Sequence, residues 1–109
     1  MEIPNLAIDK ESQNLYYIYL FYVEEKWYAF GYSAYYLTII YPVLVATNKT
    51  NPEHEGGIPC VHVPDSFLVR LSEFYSTLVS DNYIQVEAPS TAYCYRPGYG
   101  EWYEKLTVN

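Results

Sequence analysis

The segment from Gly57 to Pro89 constrains the fold of this chain most, because its pattern is that of a strand, a helix and a second strand. Ile58–Val63 is short, apolar and rich in β-branched residues, which is typical of a buried strand. Pro64 ends that strand, and Asp65 offers a side-chain acceptor to the first N–H groups of a helix. Tyr83–Glu87 then resumes a period of two. We therefore predict two parallel strands joined by a helix in a right-handed crossover.

The predicted helix begins near Asp65 and has one apolar face. Apolar side chains recur along it at helical spacing, and polar side chains occupy the opposite face. Asp81 and Asn82 follow, and Asn tolerates the left-handed conformation that often ends a helix. We expect the helix to close there and to pack on a sheet through Phe67, Leu68, Leu71, Phe74, Tyr75, Leu78 and Val79.

The chain before this unit divides into a polar start and an aromatic hairpin. Met1–Asn14 is predicted to be a loosely ordered leader with at most a short strand near Leu6–Ile8. Leu15–Val23 and Trp27–Tyr32 are separated by a charged turn, and we predict that they pair as a β-hairpin held by aromatic cross-strand contacts.

The remaining segments complete a single domain over residues 1–109, with a mixed α/β sheet and flanking helices. Ser33 is predicted to cap a two-turn helix over Ala34–Tyr41, with a continued strand as the alternative. Val43–Ala46 is predicted to be a short buried strand, and Thr47–Gly57 a mobile surface loop. Residues 90–109 are predicted to form a terminal hairpin of Ala92–Arg96 and Glu101–Val108.

The charge balance narrows the classes of partner. The formal net charge is −7, with only six basic residues, which disfavours contact with phosphate backbones or anionic lipid and suits solubility or a basic partner. The charge-free window Trp27–Asn48 contains many tyrosines and is interrupted by Gly31 and Pro42, so we expect no membrane span. Two distant cysteines and no secretory signal indicate a cytoplasmic protein with free thiols.

No set of residues predicts catalysis or a cofactor. Cys60 and His62 would share a strand face, but His54 and Cys94 add no paired ligand spacing, so we expect neither a metal site nor a Cys/His nucleophile. The paired Glu24 and Glu25 fit a solvated turn. The glycine-rich segments lack the lysine and the strand-to-helix context of a phosphate loop. We therefore expect a protein that is not an enzyme.

Two stretches resemble the N-terminal, mismatch-recognition domain of the MutS DNA mismatch-repair family. The run Gly57–Leu68 resembles that family's Gly-Ile-Pro-Tyr-His-Ala segment, which is followed by a helix and a strand. The run Ala29-Phe30-Gly31 before a helix resembles an earlier strand of the same domain, which ends at Gly and leads into Asp-Phe-Tyr-Glu-Leu-Phe. The resemblance covers Leu15–Pro89 and implies a mixed sheet flanked by helices.

The residues with which that family reads DNA are replaced in this chain. Aligning the family's glycine on Gly31 puts Ser33 in place of the Phe that stacks on the mispaired base. Tyr35 then stands in place of the Glu two residues later. Stacking needs an aromatic face, which Tyr32 or Tyr35 could offer from a slipped position, but no carboxylate stands beside them in this stretch. We therefore expect no direct binding of mismatched DNA.

Tyrosine is the unusual feature of the composition, with 15 residues. Alternation along the first strand puts Tyr17, Tyr19 and Phe21 on one face and Tyr16 and Tyr22 on the other. One face would be core, and the other either lies under the terminal hairpin or meets a partner, a role for which tyrosine is favoured. The candidate binding surface consists of Tyr17, Tyr19, Tyr32, Tyr35, Tyr95 and Trp102.

Two functions follow as hypotheses. The first is a non-enzymatic binding module that meets a protein partner, or a second copy of itself, through this tyrosine-rich surface, with a role in DNA transactions if the resemblance reflects descent. The alternative is an acidic inhibitor from a phage or mobile element that mimics DNA. Mimicry needs acidic residues in rows near phosphate spacing, whereas these acidic residues are scattered. The binding module is therefore preferred.

Overall fold

The computed structural model describes residues 2–51 and 54–106, and its strands form one six-stranded sheet. The strands are β1 (Tyr17–Val23), β2 (Lys26–Phe30), β3 (Ala46–Asn51), β4 (His54–Val63), β5 (Thr77–Val79) and β6 (Ile84–Glu87). The helices are α1 (Asn5–Ser12), α2 (Gly31–Ile40), α3 (Asp65–Phe74), α4 (Ser90–Tyr93) and α5 (Tyr99–Glu104), with a 3₁₀ turn at Arg96–Gly98.

The aromatic hairpin lies at the centre of the sheet, as predicted. β1 pairs with β2 in antiparallel register from Leu20 opposite Ala29 to Val23 opposite Lys26. Glu24 and Glu25 form the two-residue turn, and both have positive φ, 51° and 68°. Two positive φ values are the mark of a type I′ turn, whose twist matches that of the flanking strands. The right-handed twist of the strands thus imposes a conformation that these two residues adopt only at some cost.

The predicted parallel crossover is wrong. The strand order is β3-β4-β2-β1-β6-β5, and every neighbouring pair is antiparallel. Consequently β4 and β6 are not neighbours, and they run in opposite directions. The sheet of the described residues is antiparallel, not mixed. The cause lies in α3, which ends at Phe74 rather than near Asp81, so that the chain returns through β5 and folds back onto it as β6.

The predicted helix was too long because Leu78 and Val79 fit either a helical face or a short strand. They lie in β5, where both side chains are exposed. Asp81 and Asn82 lie in the turn between β5 and β6 and do not close a helix. Asp81 and Asn82 therefore do mark the end of an element, but that element is the strand β5 and not the predicted helix.

The segment between α2 and α3 also differs from the prediction. Val43 and Val45 are exposed, and the strand there begins only at Ala46. Thr47–Gly57 is not a loop: it belongs to β3 and β4, which pair as a hairpin, although Pro52 and Glu53 lie outside the described residues. The strand β3 was missed because it is largely polar. An edge strand has fewer buried apolar positions, so its sequence shows little apolar alternation.

Both ends of the chain are helical where we predicted otherwise. The predicted leader contains α1, which follows Pro4 and buries Ala7 against the sheet. The predicted terminal hairpin is replaced by α4, the 3₁₀ turn and α5, and the last residues of its second strand lie outside the described part of the chain. Pro89 immediately precedes α4, and Pro97 lies in the first positions of the 3₁₀ turn, where proline is favoured because its missing N–H would have no helical partner.

The sheet is covered on both faces. The face bearing Ile18, Leu20 and Val61 packs against α2 and α3 in the larger core. The opposite face, bearing Tyr19 and Phe21, packs against α1 in a smaller core. Because α1 covers the second face, Tyr19 and Phe21 are buried there, whereas Tyr22 at the end of β1 is exposed.

Candidate functional site

The six residues of the predicted binding surface do not lie on one surface. Tyr17 and Tyr19 lie on the α1 side of the sheet, whereas Tyr32, Tyr35 and Trp102 belong to α2 and α5. Tyr19 and Tyr35 are buried, and Tyr17, Tyr32 and Trp102 are partly buried. Of the six, Tyr95 is the exposed one, with 59% of its surface accessible.

Tyr35 and Trp102 fasten the C-terminal helices to α2. The Tyr35 hydroxyl donates to the Tyr95 carbonyl oxygen at 2.6 Å, and the Tyr35 ring lies 4.9 Å from that of Trp102. The Tyr99 ring contacts the Tyr35 ring edge to face, with 5.6 Å between the ring centres. Burial raises the pKa of the Tyr35 hydroxyl. This arrangement indicates a structural role for Tyr35, since its ring and its hydroxyl are both satisfied within the chain.

The Arg96 side chain also joins the C-terminal segment to α2. Its guanidinium donates to the Tyr36 hydroxyl at 3.0 Å and to the Leu15 carbonyl oxygen at 3.4 Å. It also lies 3.9 Å from the centre of the Tyr32 ring, whose stacking partner is Tyr99 at 4.0 Å. Tyr32 is thus held between a cation and an aromatic ring, and its faces are occupied.

The tyrosines around the start of β1 and the end of α4 are exposed or partly buried. We name Leu15, Tyr16, Tyr17, Tyr93 and Tyr95 the tyrosine surface. Tyr16 contacts Tyr93 at 5.4 Å and Tyr17 at 6.5 Å. Leu15 and Tyr16 are about half exposed, at 49% and 50%.

The tyrosine surface contains a shallow cleft. Its volume is about 280 Å³, and its lining includes Tyr16, Tyr17 and Tyr93 together with Glu87 and Ala88. The cleft therefore combines aromatic rings with one exposed carboxylate. Sequence reasoning missed Tyr93 in this role because it assigned the residue to a hairpin, whereas α4 brings it against the start of β1.

A polar cluster between α1 and α2 centres on Glu11, which the sequence prediction placed in a leader. The Ser33 hydroxyl donates to its carboxylate at 2.5 Å, and the Ser33 backbone N–H donates at 3.1 Å. The Asn14 amide donates at 3.2 Å. Ser33 therefore does not cap α2 as predicted. Its hydroxyl also accepts from the Tyr19 backbone N–H at 2.8 Å, and the Glu11 carboxylate occupies the helix start instead.

Burial gives this carboxylate an unusual titration. Loss of solvation raises the pKa of Glu11 to about 7, against an opposing effect of its hydrogen bonds from Ser33 and Asn14. The carboxylate also lines a cavity of about 200 Å³ between α1 and α5. Gly31, with φ of +56°, brings the start of α2 so close that a Cβ there would lie 3.2 Å from the Glu11 side chain. A buried carboxyl in a cavity is the usual setting for a shifted pKa.

A second exposed patch is apolar rather than aromatic-polar. Val69 and Phe74 of α3 and Leu78 and Val79 of β5 are each more than half exposed. They border a groove of about 240 Å³ between α3 and the edge of the sheet. We name these four residues the α3–β5 patch.

The cysteines and histidines considered as metal ligands or nucleophiles are not brought together into a site among the described residues. Cys60 is buried and Cys94 exposed, and both are free. Burial raises the pKa of the Cys60 thiol to about 11, which makes it a poor nucleophile. His62 is exposed against the Tyr28 ring, and the side chain of His54 lies outside the described part of the chain. Across residues 2–51 and 54–106, no group of three or more potential ligands is placed to hold a metal ion.

No helix within the described ranges has the length and apolar character needed to cross a membrane. Comparisons of the chain with protein-family models, with curated proteins and with solved structures found no match. The resemblance to the MutS mismatch-recognition domain therefore stays a prediction from the sequence.

Proposed function

We propose that the protein is a non-enzymatic binding module that engages a protein partner through the tyrosine surface. The observation that carries this proposal is the cleft of Tyr16, Tyr17 and Tyr93, together with the exposure of Leu15 and Tyr95, which are close to these residues in the chain. Tyrosine is enriched at protein interfaces because its ring offers contact area while its hydroxyl stays hydrated. The exposed rings here have that character, whereas Tyr19 and Tyr35 are committed to the interior.

The cleft also indicates the chemistry of the partner. Glu87 adds a carboxylate to the aromatic lining, and the chain as a whole has a net charge of −7. An arginine or lysine side chain matches both features, since its cation can face the carboxylate while its stem or guanidinium packs on the rings. The proposed partner therefore presents a basic side chain to this cleft.

Site-directed variants used as bait in lysate of the native host test this proposal. A protein captured by the native chain should be lost with the double variant Tyr16→Ser/Tyr95→Ser. It should be retained with Tyr22→Ser, which removes a tyrosine of similar exposure, 57%, at the other end of β1. With the purified partner, the double variant should raise Kd at least about tenfold, as expected for interface anchors.

Equal capture by both variants would contradict the proposal. Capture that is insensitive to the tyrosines but is competed by duplex DNA would instead support the alternative of a DNA-mimicking inhibitor. Neither outcome depends on identifying the partner beforehand.

The α3–β5 patch favours a second candidate function, which is self-association of the protein. β5 is an edge strand, so its outer backbone groups are free to pair with another strand, and its exposed side chains are apolar. Sedimentation at micromolar concentration should show a dimer that the variant Leu78→Lys converts to a monomer. A monomer in the native chain at that concentration would remove this role.

A further inference from the structure

The cavity beside Glu11 has the lining of a ligand site rather than of a packing defect. Apolar side chains of α1 form one wall, and Phe30 at the end of β2 and Ile58 within β4 form another. Tyr32, Tyr99 and Tyr103 contribute aromatic rings. Empty packing defects are lined by apolar groups alone, whereas a ligand site adds a few convergent polar groups.

The rings are held in place by contacts with one another and with the backbone. The Tyr103 hydroxyl donates to the Gly57 carbonyl oxygen at 2.7 Å. Tyr99 stacks on Tyr32 at 4.0 Å and lies 6.1 Å from Tyr103. The aromatic wall is therefore preformed, and a ligand would not have to order it on binding.

The charge of Glu11 is the second observation that indicates a ligand. All of its hydrogen-bond donors are neutral: the Ser33 hydroxyl, the Asn14 amide and backbone N–H groups. In the portion of the chain that the structure describes, the ion pair of Lys105 with Glu101 is the one found, so Glu11 has no cationic partner there. Because desolvation of an uncompensated charge is costly, a buried carboxyl without a cation takes up a proton more readily, and a bound cation would favour its ionised form.

A carboxylate and a set of tyrosine rings select the same class of ligand. Both favour a cation, and aromatic rings around an alkylated ammonium gain from its apolar groups as well as from its charge. The volume of about 200 Å³ is below that of sites for drug-sized molecules, which limits the ligand to a small one. An anion or a phosphate is excluded by the carboxylate.

We propose that this cavity binds a small organic ammonium compound, with Glu11 as its charge partner and Tyr99 and Tyr103 against its alkyl groups. This site is separate from the tyrosine surface, and the two proposals stand or fall independently. Cation binding favours the ionised form of Glu11, so affinity should rise with pH through the range in which that carboxyl titrates.

Calorimetric titration with choline tests the proposal, with its neutral isostere 3,3-dimethyl-1-butanol as the matched probe. At about pH 8 choline should bind at least about tenfold more tightly than the alcohol, as expected for a desolvated cation–aromatic contact. At about pH 5 this preference should shrink, because Glu11 is then mostly neutral. The fluorescence of Trp102, whose ring lies 5.6 Å from Tyr99, gives a second readout.

The variant Glu11→Gln should lose the preference for choline, while Glu101→Gln, which changes an exposed carboxylate on α5, should keep it. If Glu11→Gln does not fold, the comparison of the two probes across pH in the native protein decides alone. Equal binding of choline and the alcohol, binding of neither, or a preference that is independent of pH would overturn the proposal.

Discussion

The buried carboxyl of Glu11 should make the stability of this protein fall as pH rises toward neutrality. Its pKa is about 7 in the folded protein against an ordinary value of 4.5. A carboxyl whose pKa is raised by folding contributes stability that is fully present below the unfolded value and is lost as pH rises through the folded value. The window is therefore from about pH 4.5 to about pH 7.

The magnitude follows from the size of this difference. Each pKa unit corresponds to about 1.4 kcal/mol, so the free energy of unfolding should decrease by roughly 3 kcal/mol across the window. For a domain whose total stability is on the order of 5–15 kcal/mol, that loss is easily measured. The titratable neighbours Tyr19, Tyr36 and Tyr99 all have raised pKa values and stay neutral throughout this range.

Urea unfolding followed by tyrosine and tryptophan fluorescence at a series of pH values measures the effect. The variant Glu11→Gln keeps an amide of the same shape and should flatten the dependence. Glu101→Gln alters an exposed carboxylate and should leave the dependence intact. A native profile that is flat or rising across the window, or an unchanged slope in Glu11→Gln, would refute the assignment of this titration to Glu11.

Three further outcomes are expected. Gly57→Ala should destabilise the fold by roughly 1–3 kcal/mol or more in urea unfolding, because φ is +86° and a Cβ would lie 2.5 Å from the Lys49 carbonyl oxygen; Gly100→Ala, with open space around it, should not destabilise. A thiol reagent should modify the exposed Cys94 in the native protein and the buried Cys60 only after denaturation. Fluorescence anisotropy at low salt should show no preference for mismatched over matched duplex DNA, given the net charge of −7.

The prediction for DNA gains support from where the substituted positions lie. Ser33 is fully buried, and Tyr35 is 6% exposed. A residue that stacks on a base must present an aromatic face to solvent before it binds. Tyr32, the other aromatic near these positions, already has Arg96 on its ring and Tyr99 stacked on it. The resemblance to the MutS domain thus leaves no aromatic residue at α2 ready for that role.

The sequence predicted local elements well where the apolar pattern was strong. The β1–β2 hairpin, the strand over Ile58–Val63 and the start of α3 at Asp65 all lie where periodicity and stop signals put them. The pattern failed where an element has little apolar surface of its own. α1 buries only Ala7 fully, and the edge strand β3 is largely polar.

Apolar periodicity and stop signals did not predict which strands pair or in which direction. A strand, a helix and a strand in succession suggest a parallel crossover, but the three-residue β5 between α3 and β6 reverses the direction of return. So short a strand has no periodicity to detect. The Glu11 site was missed for a related reason. Ser33 is 19 residues from Asn14 and 22 residues from Glu11 in sequence, and it meets them only because α1 packs on the sheet.

The covering of both sheet faces decides where this protein can meet other molecules. Within the described residues, α1 packs on one face of the sheet and α2 and α3 pack on the other, so both faces are at least partly covered. What remains are the sheet edges, the ends of strands and the seams between helices. The edge strand β3 carries polar side chains such as Lys49, which discourage pairing, whereas β5 at the other edge is apolar. The three proposed binding sites, the tyrosine surface at the start of β1, the seam between α1 and α5 and the β5 edge, all lie at such places.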